Sequence, residues 1–167
     1  MRFIIRCLLI VLAICLGAFA QTAPLAPTPL QNLYAAGVSW NQAGSPSVAG
    51  TALFAHLVND GSGTYAFAVY DALPQNTHPF TVTSNVGTGI AQQVFKIGNT
   101  PVFIPTSAGV SFTGSNTGWS WSTGVGVPIK LGKGSWYAMP TVRVIKSSVA
   151  GGTGYQPIAS ILFGWGK

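Results

Sequence analysis

The sequence predicts an all-β chain, an eight-stranded antiparallel up-and-down transmembrane β-barrel with short hairpin connections. Three observations predict it. Residues 118–134, GWSWSTGVGVPIKLGKG, put Trp119, Trp121, Thr123, Val125, Val127, Ile129 and Leu131 on one parity. Small or polar residues fill the other, which is the pattern of a strand with two unlike faces. Only 6% of the chain is charged, against about a quarter in ordinary soluble domains. Finally, after residue 20 no apolar run approaches the length of a membrane helix. A chain with so little charge for water and no helix for lipid is accommodated by a closed barrel, in which strands satisfy one another's backbone groups.

Residues 1–20 have the layout of a signal peptide. Arg2 and Arg6 precede an apolar run from Cys7 to Leu16, and Gly17-Ala18-Phe19-Ala20 closes it, with cleavage expected before Gln21. Both cysteines, Cys7 and Cys15, lie in this segment, so disulfides do not stabilise the exported remainder. Residues 21–32 are a proline-rich leader without periodicity, and residues 33–167 form the barrel domain.

Strands are expected near 33–42, 47–58, 63–73, 80–97, 101–113, 118–131, 135–147 and 155–166. They are separated by QAGSP, NDGSG, PQNTHP, GNTP, GSNTG, LGKGS and SVAGGTGY, which are hairpin-type turns. The strands are long enough to cross a bilayer at a tilt. In strand one, Tyr34, Ala36, Val38 and Trp40 form the apolar parity. In strand four, Phe80, Val82, Val86 and Ile90 alternate with Thr81, Thr83, Asn85, Gly87 and Gly89. In strand five, Val102, Ile104, Ala108, Val110 and Phe112 alternate with Phe103, Pro105, Ser107, Gly109, Ser111 and Thr113. In a membrane barrel the large parity faces lipid and the small one lines the lumen.

If strands run alternately up and down from the periplasm, aromatics gather at two depths. Tyr34, Tyr65, Phe67, Phe95, Phe103, Trp136, Tyr137, Phe163 and Trp165 fall near the periplasmic rim. Trp40, Tyr70, Phe80, Phe112, Trp119, Trp121 and Tyr155 fall near the outer rim, and Phe54 at mid-strand. Two girdles flanking an aliphatic band are what amphipathic rings form at the two bilayer interfaces. Trp40, Trp119, Trp121, Trp136, Phe163 and Trp165 are the principal interface aromatics. Pro105, Pro128, Pro140 and Pro157 oppose the strand assignments, because a closed barrel has no free edge. Each lies near a rim, where a bulge or frayed ladder accommodates it.

On strand count, dyad alternation, girdles and an aromatic-rich last strand (Ile161-Leu162-Phe163-Gly164-Trp165), residues 33–167 resemble the small eight-stranded outer-membrane β-barrels of diderm bacteria. That class includes the OmpA membrane domain and OmpX. The resemblance implies an outer-membrane location, lipids as surroundings, and delivery by periplasmic chaperones to the barrel-assembly machinery. Its members commonly end on an aromatic residue; here Gly166 and Lys167 follow Trp165.

Candidate chemistry is sparse. His56 and His78, with Asp60 and Asp71, have neither metal-ligand spacing nor that of a hydrolytic triad. The His-x-Ser motif of outer-membrane deacylases is absent, since His56 precedes Leu57-Val58 and His78 precedes Pro79-Phe80. GTG at 87–89 and GVG at 124–126 are not phosphate loops. No catalytic, cofactor or metal site is assigned. The bases are too dispersed for nucleic acid, and Lys96, Lys130, Lys133 and Lys167 gather at the periplasmic end. Ser120, Ser122, Gly124, Gly126, Lys130 and Arg143 fall on the lumen parity. With so few carboxylates, the two cations there are expected to meet water or backbone carbonyls. The reading is a non-enzymatic outer-membrane barrel, envelope-structural or a narrow passive channel for small solutes. Its rivals are a soluble secreted β-sandwich or barrel binding glycans through Trp119 and Trp121, and an outer-membrane lipid-modifying enzyme.

Overall fold

The structure is a computed structural model and describes residues 30–41, 47–59, 61–75, 81–149 and 155–167. Residues 1–29, expected to hold a signal peptide and most of a leader, lie outside the described residues, as do Asp60, His78, Phe80 and residues 150–154. The strands are β1 (Asn32–Asn41), β2 (Ser47–Asn59), β3 (Thr64–Gln75), β4 (Thr81–Ile97), β5 (Thr100–Thr113), β6 (Asn116–Gly126), β7 (Ile129–Lys130), β8 (Trp136–Ser147) and β9 (Tyr155–Gly166). Each pairs antiparallel with its sequence neighbour, β1 pairs with β9, and β6 and its two-residue continuation β7 both pair with β8. The sheet therefore closes on itself as a ring of eight staves, which leaves no unpaired edge.

The turns follow from their glycines. Gly98 and Gly114 adopt φ of 59° and 58° at the first position of the two-residue loops Gly98-Asn99 and Gly114-Ser115. A positive φ there and a negative one at the second residue is the type II′ geometry, whose twist matches the flanking strands.

The prolines are accommodated by interruptions of the ladder. Ile104 and Pro105 have no partners on β6, since pairing steps from Phe103↔Gly126 to Thr106↔Thr123, while Pro105 stays paired with Ala91 on β4. Pro128 and Pro140 share one gap between Gly126↔Thr141 and Ile129↔Ala138, bridged by the Val127 amide donating to the Pro140 carbonyl at 3.1 Å. Pro157 lies past the last β1–β9 pair, Asn41↔Ile158. A residue without an N–H is tolerated in a closed barrel where one neighbour is already out of the ladder. The bulges that do occur, between Leu57 and Asn59 and between Gln93 and Phe95, lie elsewhere.

Alternation between faces holds along most of the wall. Val38, Val86, Ile90 and Val125 are exposed on the outside, and Ser39, Thr83, Asn85, Ser107, Ser111, Ser120 and Ser122 are buried inside. Strand β3 departs from the expected sizes: its buried parity is Phe67, Val69, Asp71 and Leu73, and its outward parity includes Ala66, Ala68 and Ala72. The bulge at Val94 turns β4 over beyond it, so that Phe95 is exposed and pairs with Val102, which is itself covered by Val127, Ile97 and Ile129.

Candidate functional site

The candidate site is the barrel interior, which falls into three layers. At the end that carries the start of β1 and the end of β9, Leu33, Ala35, Ala55, Phe67, Val69, Tyr137, Met139 and Leu162 form one apolar cluster. Toward the opposite end, Ala49, Leu73, Ile145 and Ile158 form a second. Between them lies a polar belt. Thr51 donates to Asp71 Oδ1 at 2.6 Å, and the hydroxyls of Thr51, Ser39 and Ser160 continue the chain at 2.6 and 2.8 Å. On the facing side Ser111 donates to Asn85 and Ser107 pairs with Ser122 at 2.8 Å.

Arg143 crosses this belt. Its Nη2 donates to Asp71 Oδ1 at 2.5 Å, with the two side chains 5% and 2% exposed. Asp71 is on β3 and Arg143 on β8, which stand four staves apart whichever way the ring is followed. The ion pair is therefore a strut across the full diameter. Gly124 faces Arg143 in the β6–β8 register, where a Cβ would lie 2.2 Å from the Val142 carbonyl oxygen and 2.7 Å from Arg143 Cα, so the glycine permits the close approach of the two strands. The expectation that water or backbone carbonyls would receive Arg143 is corrected, for it has a carboxylate. The sequence carried a clue, since Asp71 shares the parity of Phe67, Val69 and Leu73, and strands three and seven of eight are diametric. Among the described residues two buried polar atoms, Asn85 Nδ2 and Thr141 Oγ1, have no hydrogen-bond partner.

The other residues assigned to the lumen separate. Ser120, Ser122 and Gly126 are buried within the wall and Gly124 is partly so. Lys130 is exposed, paired with Tyr137 in short β7 at the barrel's end, where the lumen parity runs out into the rim. Among the aromatics, Trp40, Trp119, Trp136, Phe163 and Trp165 are exposed on the outer face, and Trp121 is partly exposed there. Phe67 and Tyr137 lie at the expected depth but point inward into the apolar cluster. Phe54 joins the girdle, its ring 4.9 Å from that of Tyr34, which in turn stacks on Trp165 at 6.3 Å. Position along a strand gives depth, and shear brings Phe54 level with the rim of its neighbour.

His56 is exposed on the outer face, its Nδ1 2.8 Å from Asn32 Oδ1. Asp71 is inside the barrel, so the wall separates the described histidine from the described acid. Among the described residues no group of three or more metal-ligating side chains comes together.

No protein-family model matches the chain, and no curated protein matches it. Among solved structures it is similar to Neisserial surface protein A (NspA), with a TM-score of 0.63 at 9% identity over 80% of this chain and 94% of that one. It is also similar to a chain from the de novo design of transmembrane β-barrels, with a TM-score of 0.49 at 13% identity over 84% of this chain and 99% of that one. Ring closure through eight strands, dyad alternation and the first of these likenesses agree: the chain has the fold of the eight-stranded antiparallel outer-membrane β-barrels.

Proposed function

We propose that this protein is a non-enzymatic outer-membrane β-barrel whose role is structural, a closed stave of the cell envelope. The Asp71–Arg143 strut across the lumen, with an apolar layer on either side of it, carries this reading. An eight-stranded interior is just wide enough for side chains to fill, and here large side chains and a spanning ion pair fill it. Solute passage would require breaking a desolvated ion pair and parting two apolar layers, so the structural role is favoured over the channel. The outer wall supports the location. Val38, 47% exposed, lies between Tyr34 and Trp40 on one outward face, the order of aliphatic band and girdles that a bilayer imposes. In this reading the surrounding partners are outer-membrane lipids, and periplasmic chaperones and the barrel-assembly machinery deliver the chain.

The test is refolding of the chain from Gln21 into phosphatidylcholine vesicles. A folded barrel migrates differently on a gel when unheated than when boiled, and planar bilayers containing it are expected to show no current steps. Solubility without detergent and no mobility shift would refute the membrane reading. Discrete conductance in the wild type would refute the closed one. Val38→Arg sharpens the first arm, with an expected loss of about 2–4 kcal/mol of folding free energy in lipid, as for a cation at mid-bilayer. On a water-facing wall the same change would alter stability by only about 0.5 kcal/mol.

A further inference from the structure

Among the described residues Lys96, Lys130, Lys133 and Lys167 lie toward the end with the chain termini, and Arg143 is inside. Lys146 is the one described cation at the opposite rim. It is on the outward parity of β8, level with Trp121 on β6 and Tyr155 on β9. Its Nζ lies 5.9 Å from the centroid of Trp119 and 5.1 Å from that of Tyr155. Trp121 and Tyr155 meet edge to face at 6.3 Å, closing the lower side of the notch. The platform is fixed from behind. The Trp119 amide donates to Ser148 Oγ at 2.9 Å, and the Ser148 amide donates back to the Trp119 carbonyl at 2.9 Å. Trp119 and Tyr155 remain 52% and 60% exposed.

Two physical consequences follow. Ring faces hold the ammonium by cation–π attraction and shield part of it from water. No described carboxylate competes for it, because Asp71 is sealed inside against Arg143. An ammonium held on ring faces at girdle depth sits where headgroup phosphates lie, and lysine binds phosphate as a point charge. A phosphomonoester, with close to two negative charges near neutral pH, gains more from it than a phosphodiester with one.

We infer that the notch of Lys146, Trp119, Trp121 and Tyr155 binds the phosphomonoester headgroup of a lipid in the leaflet away from the chain termini. The inference rests on the outer-membrane reading above, and one set of samples tests both. The chain from Gln21 is refolded into phosphatidylcholine vesicles holding a minor fraction of diphosphoryl lipid A, or the same fraction of phosphatidylglycerol. After gentle detergent extraction the lipid retained per barrel is counted by mass spectrometry. The wild type is expected to retain lipid A over phosphatidylglycerol by about fivefold, the effect of one cation near a membrane surface. Lys146→Gln is expected to lose that preference, Lys146→Arg to keep most of it, and Lys133→Gln, at the other end, to leave it unchanged. Retention by Lys146→Gln equal to wild type, or an equal loss in Lys133→Gln, overturns the site. Abolition of the preference by millimolar inorganic phosphate also overturns it, assigning the notch to free phosphate. Gel mobility of the same samples separates the two readings. Barrels that fold without lipid preference overturn the headgroup site alone, and chains that fail to insert overturn the membrane reading and the site with it.

Discussion

The two sides of this barrel are built differently. The inward faces of β8, β9, β1, β2 and β3 carry nearly all the bulk: Tyr137, Met139, Arg143, Ile145, Ile158, Leu162, Leu33, Phe67, Val69 and Leu73. The inward faces of β4, β5 and β6 are mostly Gly, Ser, Thr and Asn, among them Gly87, Gly89, Ser107, Gly109, Ser111, Ser122 and Gly124. A symmetric distribution of medium side chains would fill the same volume, so the division needs a reason. Large side chains anchored on one side reach across, and the small residues opposite leave them room. The heavy side supplies buried volume, and the light side supplies clearance and backbone curvature.

The strut joining β3 to β8 within the heavy side carries the largest expected effect. Asp71→Ala or Arg143→Ala leaves a charge buried without its partner and is expected to cost about 3–5 kcal/mol. The double change Asp71→Leu with Arg143→Met removes both charges and is expected to recover most of that loss. Urea unfolding of the refolded barrel in detergent measures both. Single changes worth under 1 kcal/mol would mean that water already reaches the pair.

Leu162→Ala comes next, at about 2–4 kcal/mol, because Leu162 is 1% exposed at the centre of the heavy side's apolar cluster. Ser107→Ala on the light side breaks one hydroxyl pair with Ser122 and is expected to cost about 1 kcal/mol. If the two changes cost the same in one denaturant series, bulk is not concentrated as described.

How much of this was legible in the sequence depends on whether a feature is local. Strand positions were, to within about two residues, because a period of two and the turn glycines are written along the chain. So were the outward positions of Trp119, Val125 and Trp165, whose parity is set by the residues beside them. The asymmetry was not. Phe67 and Tyr137 appeared as girdle rings because depth follows from position along a strand, whereas facing in β3 follows from where Asp71 must go. The strut joins residues 72 apart in sequence and exists only once the ring has closed. Lys130 illustrates the converse: it keeps the lumen parity, but the break at Val127-Pro128 leaves it at the rim, where parity no longer means burial. The prolines oppose the strand assignments only while each strand is taken alone. Pro128 and Pro140 become compatible when seen to share one gap between two strands.

The finest test of the light side uses two glycines on the same inward face of β4. At Gly89 a Cβ would lie 1.9 Å from the Thr106 carbonyl oxygen and 2.6 Å from Ser107 Cα. Both are backbone atoms of β5 that cannot swing aside, so Gly89→Ala must push two staves apart, at an expected cost of about 2–3 kcal/mol. At Gly87 a Cβ would meet Ser107 Oγ at 3.3 Å and the Ala108 carbonyl oxygen at 3.4 Å, which a small shift of the hydroxyl relieves. Gly87→Ala also restricts the unfolded chain, a gain of about 0.4–1 kcal/mol, so its net effect is expected to lie within about 1 kcal/mol of zero. If clearance for large side chains were all the light side provided, the two changes would behave alike. A gap between them in the same unfolding series assigns Gly89 to wall curvature and Gly87 to spare interior volume, two functions that an unbroken run of small residues does not distinguish.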